Sequence, residues 1–489
     1  MRELRRKVLI PVFQLSEITV ESDPSAIRRD IKKGMGREAL SYFLRFAIEA
    51  ESNIGFNYNL FPVVLDRYSV PWHLGTLHIL SKLEGEPNPN MTTFQSRADD
   101  LGAYKEWLDQ HDNPDELLFD FPKVKLRRPT YRYRGFIQQQ IYAQEISPST
   151  AKRRMSSVVS FYRWLIENKF FEPEHSPWEE KTFQLVFKNT AGFSISKPVT
   201  STDLAIRTPK SEDPFEGTIQ DGGKLRPLTK SEQQVVVEAA NALGNTEMYL
   251  IQLFMLLTGA RIQTACTLRV RHFTQETVKF SKALGGDGDV FKLKAGPGTG
   301  IDTKGDRNGV LQVPRALYEA LYTYALSARA RRRREKSSGG DHTNQYLFLT
   351  QQGSPYYLAK AEALRFDPDL ERRHHKVGGT VRQFIKDHMI PYLRQHHDPN
   401  FHYRIHDLIA SFGMNMTDIQ LGVVEKGIIT LHKARMNVKD LMWHQSSATT
   451  DRYLDHRKQM EAVYAAINGY GEQVQAWIQG AMRTLHDNE

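Results

Sequence analysis

Apolar side chains recur along this chain at helical spacing. From Met91 onward, Phe94, Leu101, Tyr104 and Leu108 fall on one face of a helix. Ser147 followed by Pro148 gives an N-cap and a proline at the first helical position. Met155, Val158, Val159, Tyr162, Leu165 and Ile166 then form one stripe that runs to about Asn168, with Lys152, Arg153 and Arg163 off it. Thr229 and Glu232 have capping-box spacing ahead of Val235, Val236 and Val237. Met248 to Leu257 is apolar nearly all round, which predicts a central buried helix. Val278 to Lys294 and Val310 to Val313 predict short strands around a glycine-rich, basic turn. Near the end, Val474, Trp477, Ile478, Ala481, Met482 and Leu485 make a last stripe. Either the chain's own core or a neighbouring protomer is expected to cover it.

The pattern fails in two long stretches. Residues 1–90 carry mixed charge, aromatics and turn signals such as Glu86-Pro-Asn-Pro-Asn90, with no motif. Glu179 to Leu225 holds Pro198, Pro209, Pro214, Gly217, Gly222 and Gly223 and shows little periodicity. A loop that long is unusual inside a compact domain, so an interdomain linker is expected. The chain thus divides into an N-terminal extension of unknown role (1–90), a helical domain (91–178), a linker (179–226) and a larger domain (227–489). The fold class expected is mainly α with a small β-sheet.

Charge adds a partner. The net charge is +9, which favours a polyanion, with nucleic acid first and an anionic membrane second. Between Phe121 and Arg134 stand Lys123, Lys125, Arg127, Arg128, Arg132 and Arg134 with no acid, and Tyr131 and Tyr133 are interleaved. Such a strip can hold phosphates while its tyrosines pack on sugars or bases, and a solvated loop is the alternative. Lys152, Arg153 and Arg163 are candidates for the same partner. The single cysteine, Cys266, excludes an intramolecular disulfide and a site of several thiolates, and fits a reducing compartment. Its apolar surroundings suggest a small buried side chain. No stretch approaches the ~20 apolar residues of a membrane span, so a cytoplasmic location, nucleoid-associated in a bacterium, is expected.

Three short segments turn this basic protein toward chemistry. They are Leu257-Thr-Gly-Ala-Arg261-Ile, then Tyr403-Arg-Ile-His406-Asp-Leu-Ile409, then His444-Gln-Ser-Ser-Ala-Thr-Thr-Asp-Arg-Tyr453-Leu. In this order they resemble the active-site boxes of the tyrosine recombinases, the phage integrase family. Residues 91–178 are similar to that family's helical core-binding domain, and 227–489 to its mixed α/β catalytic domain. Residues 1–90 and the linker lie outside the resemblance.

The resemblance implies a site-specific recombinase or integrase that cuts and rejoins double-stranded DNA through a 3′-phosphotyrosine. It implies a tetramer on paired sites, accessory proteins and a mobile genetic element. It implies no cofactor and no metal, because the bond energy is kept in the phosphotyrosine. The chemistry accounts for the residue types. A phosphodiester gathers negative charge on its non-bridging oxygens in the transition state, which preorganised cations stabilise. Arginine donates two parallel hydrogen bonds and stays charged. A phenol needs help to lose its proton, and the leaving 5′-oxygen needs a donor.

By the resemblance Arg261 is the first catalytic arginine, His406 and His444 are the two histidines, and Tyr453 is the nucleophile. Lys304, in Asp302-Thr-Lys-Gly-Asp-Arg-Asn-Gly309, is the general acid, with Lys294 as its rival. Three positions depart from the family pattern. Ile409 stands where the second arginine belongs, Thr264 where an acid is usual, and Trp443 where glycine is common. Loss of one such donor commonly costs ~2.7–4 kcal/mol of transition-state stabilisation, about a hundred- to thousandfold in rate. Arg404, two residues from His406, points elsewhere on a helix. The alternative is therefore a catalytically inactive protein on the same fold that organises DNA or regulates a partner recombinase. A topoisomerase or hairpin telomere resolvase uses the same chemistry.

Overall fold

Asn90 opens the first long helix: its side chain accepts from the Thr92 amide, and Met91–Leu108 follows. The structure is a computed structural model that describes residues 6–14, 17–20, 42–45, 57–86, 89–188, 194–207, 217–275, 278–284, 288–372, 374–460 and isolated positions up to 475. It is mainly helical, with small antiparallel sheets. The chain forms two compact units, Met1–Lys210 with Ala361–His375, and Ser211–Lys360 with Lys376–Glu489. No described helix is long and apolar enough to cross a membrane.

In the first unit, Ser147 caps the helix Pro148–Glu167 by accepting from Thr150 N–H, with Pro148 in the first turn. Its apolar stripe is buried at Met155, Val158, Val159, Tyr162 and Leu165. Leu101, Tyr104 and Leu108 share that core with Tyr58, Phe61 and Val64. These last three belong to the strand Asn57–Val64, which pairs antiparallel with Lys7–Gln14. A boundary at residue 90 therefore cuts through one hydrophobic core. Leu60 to Val64 are buried without alternation, so no period of two marked them as a strand. A side-chain-to-backbone exchange also ties the returning segment to this strand. Asp367 N–H donates to Asn59 Oδ1 at 2.9 Å, and Asn59 Nδ2 donates to the Asp367 carbonyl at 3.0 Å.

The stretch expected to be an interdomain linker carries local structure of its own, a β-hairpin of Glu180–Lys188 paired with Ser194–Thr202. Lys181 to Gln184 of this strand are all exposed.

In the second unit the capping box at Thr229 and Glu232 forms and starts the helix Lys230–Ala242. The helix Thr246–Thr258 is buried along Met248, Ile251, Phe254 and Met255, in one core with Leu408 and Phe412 of the helix Asp407–Glu425. Asp289–Ala295 pairs antiparallel with Gly309–Pro314 on one side and Ser281–Lys282 on the other. The turn carrying Lys304 joins the first two of these strands. Glu247 is fully buried, yet it accepts from Arg329 Nε and Nη2 at 2.8 Å each and from Tyr324 Oη at 2.9 Å. Arg333 is 2.9 Å away. The basic run Ala330–Arg334 is thus partly structural, since Arg334 is also buried and pairs with Asp341. Cys266 is buried, and burial pushes its thiol up to about 12. Apart from Val474, the final apolar stripe lies outside the described residues.

Candidate active site

The helix Leu431–Leu441 begins at Thr430, whose side chain accepts from Lys433 N–H. It ends in the two-bond left-handed turn: Trp443 N–H donates to the Asp440 carbonyl at 3.3 Å, and His444 N–H to the Lys439 carbonyl at 3.0 Å. Trp443 takes the left-handed position at φ +54°, where glycine is the easy choice. Its ring holds it there. A Cβ on Gly309 would stand 2.2 Å from Trp443 Cε2, so the indole needs the bare glycine backbone beneath it. Arg307 Nη1 donates to the Trp443 carbonyl at 3.1 Å. The turn before His444 therefore forms despite the indole.

That turn delivers a buried His444. Its Nε2 lies 3.2 Å from Asp221 Oδ2, and its Nδ1 lies 3.0 Å from Thr450 Oγ1. A carboxylate only accepts, so Nε2 carries the hydrogen. Tyr453 sits in helical residues 447–460 with no exposed surface. Its ring lies against Gly413, where an added Cβ would come within 2.4 Å of Tyr453 Cε1. Its hydroxyl donates to the same Asp221 Oδ2 at 3.0 Å. Burial and then the Asp221 charge push the phenol above its ordinary pKa, and Arg261 works against them.

Gly413→Ala should therefore act on the nucleophile from the neighbouring helix. Overpacking of this kind costs about 1–3 kcal/mol. The expected result is a lowered Tm together with a Tyr453 ring displaced from His444. Thermal melting and a crystal structure of the variant would read both.

Asp221 was not legible in the sequence. It lies at the tip of a small hairpin, Ile219–Gln220 paired with Lys224–Leu225, inside the supposed linker. Burial opposes its ionisation, but hydrogen bonds from His444 and Tyr453, with the charges of His444 and Arg261, hold it below its ordinary pKa. Thr264 is buried and brings no carboxylate. The carboxylate on which His444 and Tyr453 meet is that of Asp221.

The cations converge on the same point. Arg261 is the N-cap residue of Ile262–Cys266 and is half-buried. Its charge bears on Asp221, Tyr453 and His406. Among the described residues its guanidinium makes no hydrogen bond or ion pair. Lys304 is exposed, and its Nζ lies 3.4 Å from where a Cβ on Gly222 would stand, beside Asp221. Lys294 points outward from the strand Asp289–Ala295. His406 precedes the helix Asp407–Glu425; burial first, then Arg382, Arg261 and Lys304, lowers its pKa, so the ring is neutral at neutral pH. Arg382 gave no signal in the sequence. Ile409 is buried in the apolar core and brings no charge. Arg404 donates to the Lys224 carbonyl and lies 3.7 Å from Asp407. Beside His444 runs an open groove of about 890 Å³ with Lys282, Lys292, Arg307 and Lys439 in its walls. No described cluster of His, Cys, Asp and Glu is arranged to hold a metal ion.

In the other unit the basic strip needs correction. Arg128 is buried and donates to three carbonyls, those of Pro122, Ser176 and Lys123, so it holds its own loop together rather than facing a ligand. Tyr133 is a core residue, and the Tyr131 hydroxyl donates to Asp203. Lys125 pairs with Glu179, Arg153 with the buried Asp100 at 3.0 Å, and Arg163 with Glu180 at 2.7 Å. Arg134 is half-buried near Gln138. Lys123, Arg127, Arg132 and Lys152 are exposed with no acidic partner among the described residues.

The solved structures that this chain resembles are tyrosine recombinases. The XerH site-specific recombinase bound to difH substrate, in a pre-cleavage complex, is 12% identical over 81% of this chain and 90% of its own, with a TM-score of 0.40. The Tn1549 transposon integrase in complex with circular intermediate DNA is 13% identical over 79% and 98%, with a TM-score of 0.41. A lambda integrase dimer bound to a COC′ core site is 14% identical over 78% and 94%, with a TM-score of 0.40. No protein-family model matches the chain, and no curated protein matches it.

Proposed function

We propose that this chain is a site-specific DNA recombinase that cleaves and rejoins double-stranded DNA through a 3′-phosphotyrosine on Tyr453. One observation carries this. The Tyr453 hydroxyl and His444 Nε2 meet on a single anionic oxygen, with the charge of Arg261 bearing on that carboxylate and Lys304 beside the next residue. A centre that holds an anion against a phenol is what phosphoryl transfer to tyrosine requires.

In the reaction, Tyr453 Oη attacks phosphorus and the bond to the 5′-oxygen breaks. Arg261 and His444 donate to the non-bridging oxygens. Lys304 protonates the leaving 5′-oxygen, and neutral His406 can take up the phenolic proton. Rejoining reverses these steps with a new 5′-hydroxyl. Four protomers on paired sites, with accessory proteins, would complete strand exchange.

The buried Ile409 favours a second reading, a DNA-binding protein whose cutting is lost. Both are tested by incubating the protein with nicked duplex from the ends of its own genetic element. Adducts are then separated on denaturing gels and the attachment site is mapped by mass spectrometry. The expected product is DNA linked to Tyr453. Binding without an adduct in the parent, with an adduct gained in Ile409→Arg, would mean a recombinase disabled at one residue. Binding with no adduct in either chain would support the DNA-organising role.

A further inference from the structure

We propose that Asp221 occupies the phosphate position of this centre as an internal stand-in, so that the Ile219–Leu225 hairpin must be displaced by DNA before Tyr453 can react. The inference rests on the phosphotyrosine reading and adds a built-in restraint to it.

Tyr453 has no exposed surface, and a phenol that attacks a polymer has to be reached by it. Something must therefore move. The polar contact on its hydroxyl comes from the hairpin, through Asp221 Oδ2. That oxygen also receives His444 Nε2, and Arg261 bears on the same carboxylate. Lys304 Nζ stands at the next residue of the hairpin. An oxygen that accepts from the nucleophile and from an imidazole N–H, with the Arg261 charge bearing on its carboxylate and Lys304 at the next residue, has surroundings like those of a non-bridging phosphate oxygen. A phosphate and a carboxylate cannot share that place, because like charges so close repel strongly.

The hairpin's fastenings suggest how DNA would release it. Arg404 donates to the Lys224 carbonyl and Arg452 to the Gln220 carbonyl, and both arginines are exposed. Arginine binds phosphate more strongly than a neutral carbonyl, because the bond is charge-assisted on both sides. An arriving DNA backbone would take Arg404, Arg452 and Lys304 for itself and free the tip that carries Asp221, while Ile219 and Leu225 stay buried and the Arg226 amide stays on Asp407 at 3.0 Å. Two residues in each strand give the hairpin little stability of its own. The competing role is a resident positioning carboxylate that holds His444 throughout the reaction. The two roles predict opposite effects of removing the charge.

The test uses the full chain and tetranitromethane, which nitrates phenolates. Trypsin releases Tyr453–Arg457 from a chain that keeps Arg452 and Asp440–Arg457 from one that lacks it, and each peptide has one tyrosine, so labelling at this residue can be counted by mass spectrometry. The parent, Asp221→Asn and Arg452→Ala are compared with and without a mixed-sequence DNA duplex, and thermal melts confirm folding. The Tyr453 peptide in the parent should label slowly alone and faster with DNA. Asp221→Asn should label about tenfold faster without DNA, since a neighbouring carboxylate raises a phenol's pKa. Arg452→Ala, which loosens the hairpin without touching the centre, should shift the same way. Labelling in Asp221→Asn that stays at the parent's level, or parent labelling that falls with DNA, overturns the proposal.

Covalent adduct formation on the nicked duplex is measured alongside. A faster adduct in Asp221→Asn supports the stand-in. A slower one, despite faster labelling, makes Asp221 a positioning residue and overturns it. If no chain forms an adduct, the phosphotyrosine reading fails, while the parent's labelling with and without DNA still decides whether DNA displaces the hairpin.

Discussion

A Tyr453→Phe chain should bind DNA like the parent and form no covalent adduct with it. Phenylalanine keeps the ring seated on Gly413 and removes only the oxygen that meets Asp221. His444 keeps its own contacts with Asp221 and Thr450, so the surrounding centre should persist. The lost hydrogen bond is worth about 1 kcal/mol in stability, which leaves the fold intact. The chemistry has no such reserve, because a site with its nucleophile deleted cannot make the intermediate. Anisotropy with labelled duplex would report unchanged binding, and denaturing gels would report the missing adduct. An adduct that persists in this variant would remove Tyr453 from its role.

The largest stability effect is expected at a buried ion pair of the second unit. Glu247→Ala should destabilise the second unit by about 3–5 kcal/mol, because it strands buried cations rather than merely deleting a contact. Glu247 is fully buried and Arg333 nearly so, while Arg329 is partly exposed and can recover some hydration. Burial opposes ionisation of Glu247, but the hydrogen bonds of Arg329 and Tyr324 and the charge of Arg333 outweigh it and lower its pKa. The folded pKa is below the unfolded one, so this stabilisation is complete above the ordinary carboxylate range. It is lost as pH falls through the lower, folded value. Denaturant melts over an acid series should show that loss in the parent. Glu247→Gln should start less stable and show a shallower dependence on pH.

Local signals in the sequence reached local structure. Ser147 with Pro148, and Thr229 with Glu232, marked helix starts because a cap is decided within four residues. The spacings around Arg261, His406, His444 and Tyr453 drew attention to the residues that the fold gathers. Asp221 escaped notice because its partners lie 223 and 232 positions away, and its own neighbourhood is glycine with no apolar period. Arg128 misled for the opposite reason. A run of basic residues looks like a surface, and only the carbonyls of Ser176 and Pro122 show that one of them faces inward. The Asn57–Val64 strand was silent because it is buried on both faces over much of its length. Each miss concerns a contact made across the fold rather than along the chain.

The return of Ala361–His375 to the first unit limits how this protein can be taken apart. The chain changes unit after Lys210, after Lys360 and again after His375. A fragment begun at Ser211 would carry a segment whose host is missing, and a fragment ended at Lys210 would leave Asn59 without Asp367. A single truncation therefore cannot yield either half whole. Isolating the tyrosine-bearing half calls for a splice that removes 361–375 and bridges Lys360 to Lys376, and isolating the other half calls for grafting that segment back. Two truncated pieces expressed together should complement each other where each alone does not.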